Sequence, residues 1–138
     1  MQEKNTAESI RLIVNPRAGG GRAGAQIDKL RHWVSQRFEN AEVVLTEAPG
    51  HATQLAADAA RGGINIVAAV GGDGTCHEVV NGLFVDEKPI NASCIFTVIP
   101  FGTGSDLVRS LRMPLRTEEA IAVAANGTTR MTDLGVAE

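Results

Sequence analysis

The stretch "INIVAAVGGDGTCHEVVNG" (64–82) decides the fold. Its first seven residues form an apolar run, as expected of a strand covered on both faces. Gly71, Gly72 and Gly74 follow at once, and a helix is expected to begin near Thr75. A buried strand that runs through a glycine turn into a helix is the repeating unit of a parallel α/β sheet. The glycines let backbone N–H groups approach an anion, and the start of a helix favours negative charge. Asp73 then stands where it would repel a phosphate. A carboxylate in that place needs a compensating cation, proton or hydroxyl. It can hold Mg²⁺ directly or through water, or take the proton from an attacking hydroxyl. The plainer alternative is a turn residue bonded to its own backbone. Glu78 also reads two ways: as the partner of Thr75 in a T-x-x-E capping box, or as an acid facing a ligand.

The same alternation extends outward on both sides. "RLIVN" (11–15), "EVVLT" (42–46) and "CIFTVI" (94–99) are strand candidates. Ile27, Leu30, Val34 and Phe38 recur at helical spacing and predict an amphipathic helix over 25–38. Residues 51–63 are alanine-rich and read as a helix closed by Gly62 and Gly63. A helix over 117–126 has an acidic first turn, and 129–136 reads as one more strand. Residues 84–93 read as a surface connection. Strands alternating with helices imply parallel pairing with right-handed crossovers. The expected fold is therefore an open, mostly parallel α/β sheet with helices on both faces. In such sheets ligands collect at the carboxyl ends of the strands. The loops at 16–24, 71–75 and 102–104 should converge on one edge.

The chain has 138 residues, a hydrophobic fraction of 43% and a formal net charge of −3. That suits one domain with a core of its own. Residues 1–10 are polar and expected to fray, leaving 11–138 as the folded domain. No basic face speaks for nucleic acid. Two cysteines provide neither a metal-ligand spacing nor a disulfide framework. Cys94 lies in an apolar run and should be buried, and Cys76 should pack inertly. No signal peptide or membrane span is visible. The expected location is cytoplasmic, with a peripheral membrane position open to it.

Three motifs compete for the chemistry. "GGGRAG" (19–24) satisfies G-x-G-x-x-G after a strand, and Glu42 and Glu47 lie near the spacing of a ribose-binding acid. A dinucleotide site is thus a rival, although "NPRA" separates the strand from the first glycine. Asn15, Arg17 and Arg22 add donors and positive charge to this loop. The P-loop is excluded, because the chain contains no Gly-Lys step. "PFGTGSD" (100–106) is the third loop, where Gly102 and Gly104 allow close approach and Thr103 and Ser105 supply hydroxyls. "LVRSLRMPLR" (107–116) mixes arginines with apolar residues and reads as a short helix stopped by Pro114. A basic, apolar segment can also rest on anionic lipid.

Taken together, "NPRAGG" (15–20), "LTEAPGHA" (45–52), "GGDGTCHEVVNG" (71–82), "IPFGTGSD" (99–106) and "DLG" (133–135) resemble the catalytic domain of diacylglycerol kinases, sphingosine kinases and bacterial lipid kinases. The resemblance runs from Arg11 to about Gly135. It implies a kinase that uses ATP and Mg²⁺ and transfers the γ-phosphate to a lipid hydroxyl. It places Asn15, Thr46, Gly72, Gly74, Thr75 and Thr103 on the nucleotide side. Pro16, Gly19, Gly20, His51, Gly71, Gly102 and Gly104 belong to the same motifs. Asp73 and Glu78 match acids of the glycine motif and become the candidate catalytic residues, with no residue assigned as a direct metal ligand. Phosphoryl transfer needs mostly positioning and charge stabilisation, which such loops plus Mg²⁺ can supply. Ser105 departs from the family, which has Asn there. Family members continue into a second, β-rich domain that lines the lipid pocket. The resemblance therefore implies a nucleotide-binding half with little or no turnover alone. NAD kinases share a GGDGT element, so a domain of that kind and a non-catalytic nucleotide sensor remain alternatives.

Overall fold

Four strands share one parallel sheet: β1 (Ser9–Val14), β2 (Asn40–Leu45), β3 (Ile66–Val70) and β6 (Ile95–Ile99). The computed structural model describes residues 9–18, 20–100 and 116–126. The strand order is β2-β1-β3-β6, with Ile10 level with Ala41 on one side and Ile66 on the other. β1 begins at Ser9, two residues before the expected start. All five residues of β3 are buried, as its unbroken apolar run requires.

Alternate strand residues feed two cores. Ile10, Leu12, Val14, Ile66, Ala68, Val70 and Ile99 face α2 (Ile27–Ser35) and α5 (Thr117–Asn126). Ile13, Val67, Ala69 and Val98 face α3 (His51–Arg61) and α4 (Asp73–Gly82). Each large aliphatic side chain so buried contributes roughly 1.5–3 kcal/mol. Helices therefore cover both faces, as the alternation predicts.

Four local expectations are corrected. The helix expected over 25–38 is two pieces, α1 (Arg22–Ala25) and α2, separated at Gln26. The cause is non-local: the Gly24 N–H bonds the Pro16 carbonyl at 3.1 Å, docking α1 on the preceding loop. The chain then turns at Gln26, so that Ile27, Leu30 and Val34 face the sheet. Phe38 is buried beyond the end of α2. Secondly, α4 begins at Asp73 rather than near Thr75, and no side chain caps it. Thr75 is thus inside the helix and buried, so the T-x-x-E capping box does not form. Thirdly, the connection after α4 holds a small hairpin, β4 (Phe84–Val85) with β5 (Lys88–Pro89). Its tip residues Asp86 and Glu87 have φ of 51° and 66°, the turn geometry that suits the twist of a two-residue hairpin. Finally, Cys94 is half-buried rather than buried. Trp33 packs at the core edge, and His32 and His77 are exposed. Of the segment expected to fray at 1–10, Ser9 and Ile10 instead open β1, where Ile10 is buried against the sheet's neighbours; residues 1–8, the helix in 107–112, Ser105 and the strand at 129–136 lie outside the described residues.

Candidate nucleotide site

The strand order reverses at β1. The connection after β1 crosses one face of the sheet to β2, while those after β2 and β3 cross the other. Such a switch point opens a crevice at the carboxyl ends of the strands. A cavity of about 300 Å³ lies there, lined by Asn15, Pro16, Arg17, Thr46, Glu47, Ala48, Pro49, Ala52, Thr75 and Glu78.

Backbone pairing carries the key residues to this edge. The Asn15 N–H continues the ladder to the Val70 carbonyl at 3.0 Å, and the Thr46 N–H does the same to Val14 at 2.9 Å. Asn15 Oδ1 accepts the Arg17 N–H at 3.0 Å, an Asx turn that bends the chain away from the strand. Thr75 tucks beneath the end of β3 because Gly71 leaves room: a Cβ on Gly71 would lie 2.6 Å from Thr75 Oγ1.

The acids behave differently from one another. Asp73 is exposed in the first turn of α4. A negative charge is favoured at that end of the helix dipole, which is part of the answer to its presence among glycines. Glu78 is half-buried and reaches out of its own helix: its Oε1 accepts the Gly50 N–H at 2.8 Å. The Thr53 hydroxyl donates to the Glu78 carbonyl at 2.8 Å, fastening α3 to α4 at the same level. Cys76, on the inward face of α4, has its thiol pushed up to about 11 by burial, with the Asp73 charge adding to the effect. It is a packed thiol and not a nucleophile.

Of the expected site residues, Asn15, Pro16, Thr46, Thr75 and Glu78 meet at the cavity. Gly72, Asp73 and Gly74 lie exposed on the adjoining turn, and Gly20 is exposed in the first loop. Gly71 is buried under that turn. His51 does not line the cavity; its Nδ1 accepts the Glu47 N–H at 2.9 Å. Gly19, Gly102, Thr103 and Gly104 lie outside the described residues. Glu42, one of the two acids of the dinucleotide reading, is removed from it. It sits within β2 and pairs with Arg11 at 2.6 Å. Ala48, Pro49 and Ala52 also line the wall; they fall within the quoted "LTEAPGHA" motif, although none was named as a site residue.

The fit to a nucleotide can be tested on the glycines. Gly72 and Gly74 have no left-handed φ, and a Cβ on either would meet nothing within 4 Å. Packing among the described residues does not require glycine at either place. Glycine inside a helix also costs about 1 kcal/mol relative to Ala. Open space over bare backbone at a helix start, next to a cavity that Arg17 also lines, suits the close approach of phosphate. Among the described residues no cluster of three or more His, Cys, Asp or Glu side chains could hold a metal. A Mg²⁺ ion here would take ligands from phosphates and water with one carboxylate, as that ion commonly does.

Comparison with known proteins agrees with this geometry. The profile of the diacylglycerol kinase catalytic domain matches residues 9–137. A diacylglycerol kinase of Bacillus subtilis is 38% identical over 135 residues, covering 91% of this chain and 40% of its own. Sphingoid long chain base kinase 5 of Saccharomyces cerevisiae is 35% identical over 107 residues, 74% of this chain and 16% of the relative. A crystal structure of a diacylglycerol kinase from Bacillus anthracis superposes with a TM-score of 0.76 at 30% identity, covering 91% of this chain and 44% of that one. The chain spans about 40% of the length of the curated relatives it matches. No helix among the described residues is long and apolar enough to cross a membrane. With the family profile spanning residues 9–137, the chain belongs to the diacylglycerol kinase catalytic-domain family.

Proposed function

We propose that this chain is the ATP-binding part of a lipid kinase, which transfers the γ-phosphate of ATP to a lipid hydroxyl of diacylglycerol-like or sphingoid type. The observation that carries the reading is the open space over Gly72 and Gly74, glycines that no packing among the described residues demands. The phosphates approach this turn, and Asn15, Thr46 and Thr75 offer hydrogen bonds from the cavity walls. Asp73 faces Mg²⁺ or the acceptor hydroxyl. Either partner removes the repulsion that a bare carboxylate would bring to phosphate. Glu78 is the second acid of the site, with one oxygen already held by Gly50. No residue of this chain is assigned to the lipid, and the 138-residue chain alone is expected to bind ATP without phosphorylating lipid.

Calorimetric titration with ATP, with and without Mg²⁺, tests the reading, with NAD in parallel. Saturable ATP binding that Mg²⁺ strengthens supports it. A preference for NAD, or binding of neither, sinks it. In Asp73→Asn, loss of the Mg²⁺ enhancement assigns the carboxylate to the metal, and its retention assigns it to the acceptor hydroxyl. Mg²⁺-dependent lipid phosphorylation by the chain alone would overturn the division of labour.

A further inference from the structure

The wall of the cavity formed by Thr46, Glu47, Ala48 and Pro49 lies between β2 and α3. Thr46 is half-buried and residues 47–50 are exposed. Core packing therefore does little to hold this loop. Beyond the Thr46 ladder bond to Val14, three hydrogen bonds among the described residues hold it instead. His51 Nδ1 accepts the Glu47 N–H at 2.9 Å, and the His51 N–H donates to the Ala48 carbonyl at 3.1 Å. From α4, Glu78 Oε1 accepts the Gly50 N–H at 2.8 Å, with Gly50 at a left-handed φ of 87°. The loop is thus tied at its start by an imidazole and at its end by a carboxylate.

We propose that His51 is a positioning residue: its unprotonated Nδ1 fixes the Glu47–Ala48 turn, so that the Thr46 wall stands in its binding geometry before any ligand arrives. What the wall serves rests on the nucleotide reading above; the pin itself does not. An imidazole nitrogen accepts a hydrogen bond only while it carries no proton, so the ring proton sits on Nε2. A wall ordered beforehand spares the ligand the cost of ordering it, and that saving appears as affinity. Loss of the acceptor leaves the Glu47 N–H to solvent and the loop free to leave its place.

The test uses the 138-residue chain. Side-chain ¹⁵N shifts of His51 are expected to report a proton on Nε2, and a proton on Nδ1 would overturn the pin outright. Without nucleotide, exchange of the Glu47 amide should quicken in His51→Ala and stay slow in His51→Asn, whose Oδ1 lies the same number of bonds from the backbone as Nδ1. His51→Gln places its acceptor one bond further out and should behave as the alanine variant does. ATP affinity should fall about tenfold in His51→Ala and return to within about twofold of wild type in His51→Asn. Equal amide exchange in all variants, or failure of Asn to restore it, overturns the proposal, as does an ATP affinity that ignores the pin. If His51→Ala does not fold, the asparagine and glutamine pair still decides. If the wild-type chain binds no ATP, the nucleotide reading fails, and the Glu47 amide decides the pin alone.

Discussion

Gly74, in the first turn of α4, and Gly82, its last residue, differ in what a side chain there would meet. A Cβ on Gly74 would enter empty space. One on Gly82 would run into the Thr53 carbonyl oxygen and lie 2.9 Å from the Ala56 Cβ. At the far end of the helix, glycine is required by α3, whose buried alanines bring the two helices into close contact. At the near end nothing in the described chain requires it. On the function proposed above, the requirement there would come from a ligand. One helix thus sets a glycine required by packing beside one that the described residues leave free for binding, and the sequence counts both alike.

That contrast can be broken or sharpened. The largest effect is expected from Gly82→Ala. Relieving two contacts with backbone and Cβ atoms forces α3 and α4 apart, at a cost of about 3 kcal/mol, as overpacked cores show. Urea unfolding should give a clearly lowered midpoint, and an unchanged one would remove the packing half of the comparison. Next comes the middle of the helix. Burial raises the Cys76 thiol from 9.0 to about 11. The folded chain therefore holds its proton more tightly than the unfolded chain does. Its contribution is complete below pH 9 and lost as pH rises from 9 towards 11, by about 2–3 kcal/mol at most. The stability gap between wild type and Cys76→Ala should narrow across that range, and a constant gap would show the thiol to be open to solvent. Smaller is Gly74→Ala, where the two readouts should move in opposite directions. The unfolding free energy should rise by up to about 1 kcal/mol through helix propensity, while ATP affinity falls about tenfold as the methyl fills the phosphate approach. A loss of both would place Gly74 with Gly82. Smallest is Glu42→Gln, which weakens a pair with Arg11 and should cost about 1 kcal/mol or less. ATP binding should not change, and a change would restore Glu42 to the site.

Much of this architecture was legible because it rests on periodicity. The unbroken run at 66–70 announced a central strand, the carboxyl-edge rule pointed to the loops after β1 and β3, and the family resemblance added Asn15, Thr46 and Thr75 without coordinates. What stayed hidden depends on contacts distant in sequence. The break at Gln26 follows from Gly24 resting on Pro16. Thr75 and Glu78 matched a local capping pattern, yet Glu78 bonds Gly50, 28 residues away. His51 was readable as a motif residue, but its bond to Glu47 depends on how the loop folds back. Glu42 showed the right spacing for a ribose acid, and only the β1–β2 register revealed Arg11 opposite it.

The position of β1 has a consequence for how the chain is made. This strand leaves the ribosome before either of its neighbours, yet it ends in the interior of the sheet, between β2 and β3. Its second edge stays unpaired until residues some 56 positions later arrive, the separation at which Ser9 meets Asn65. Until then the nascent chain carries an apolar strand with an open hydrogen-bonding edge, a template for pairing with the wrong partner. Contacts of such high order close slowly. The crevice, built from the ends of β1, β2 and β3, is therefore absent until β3 docks.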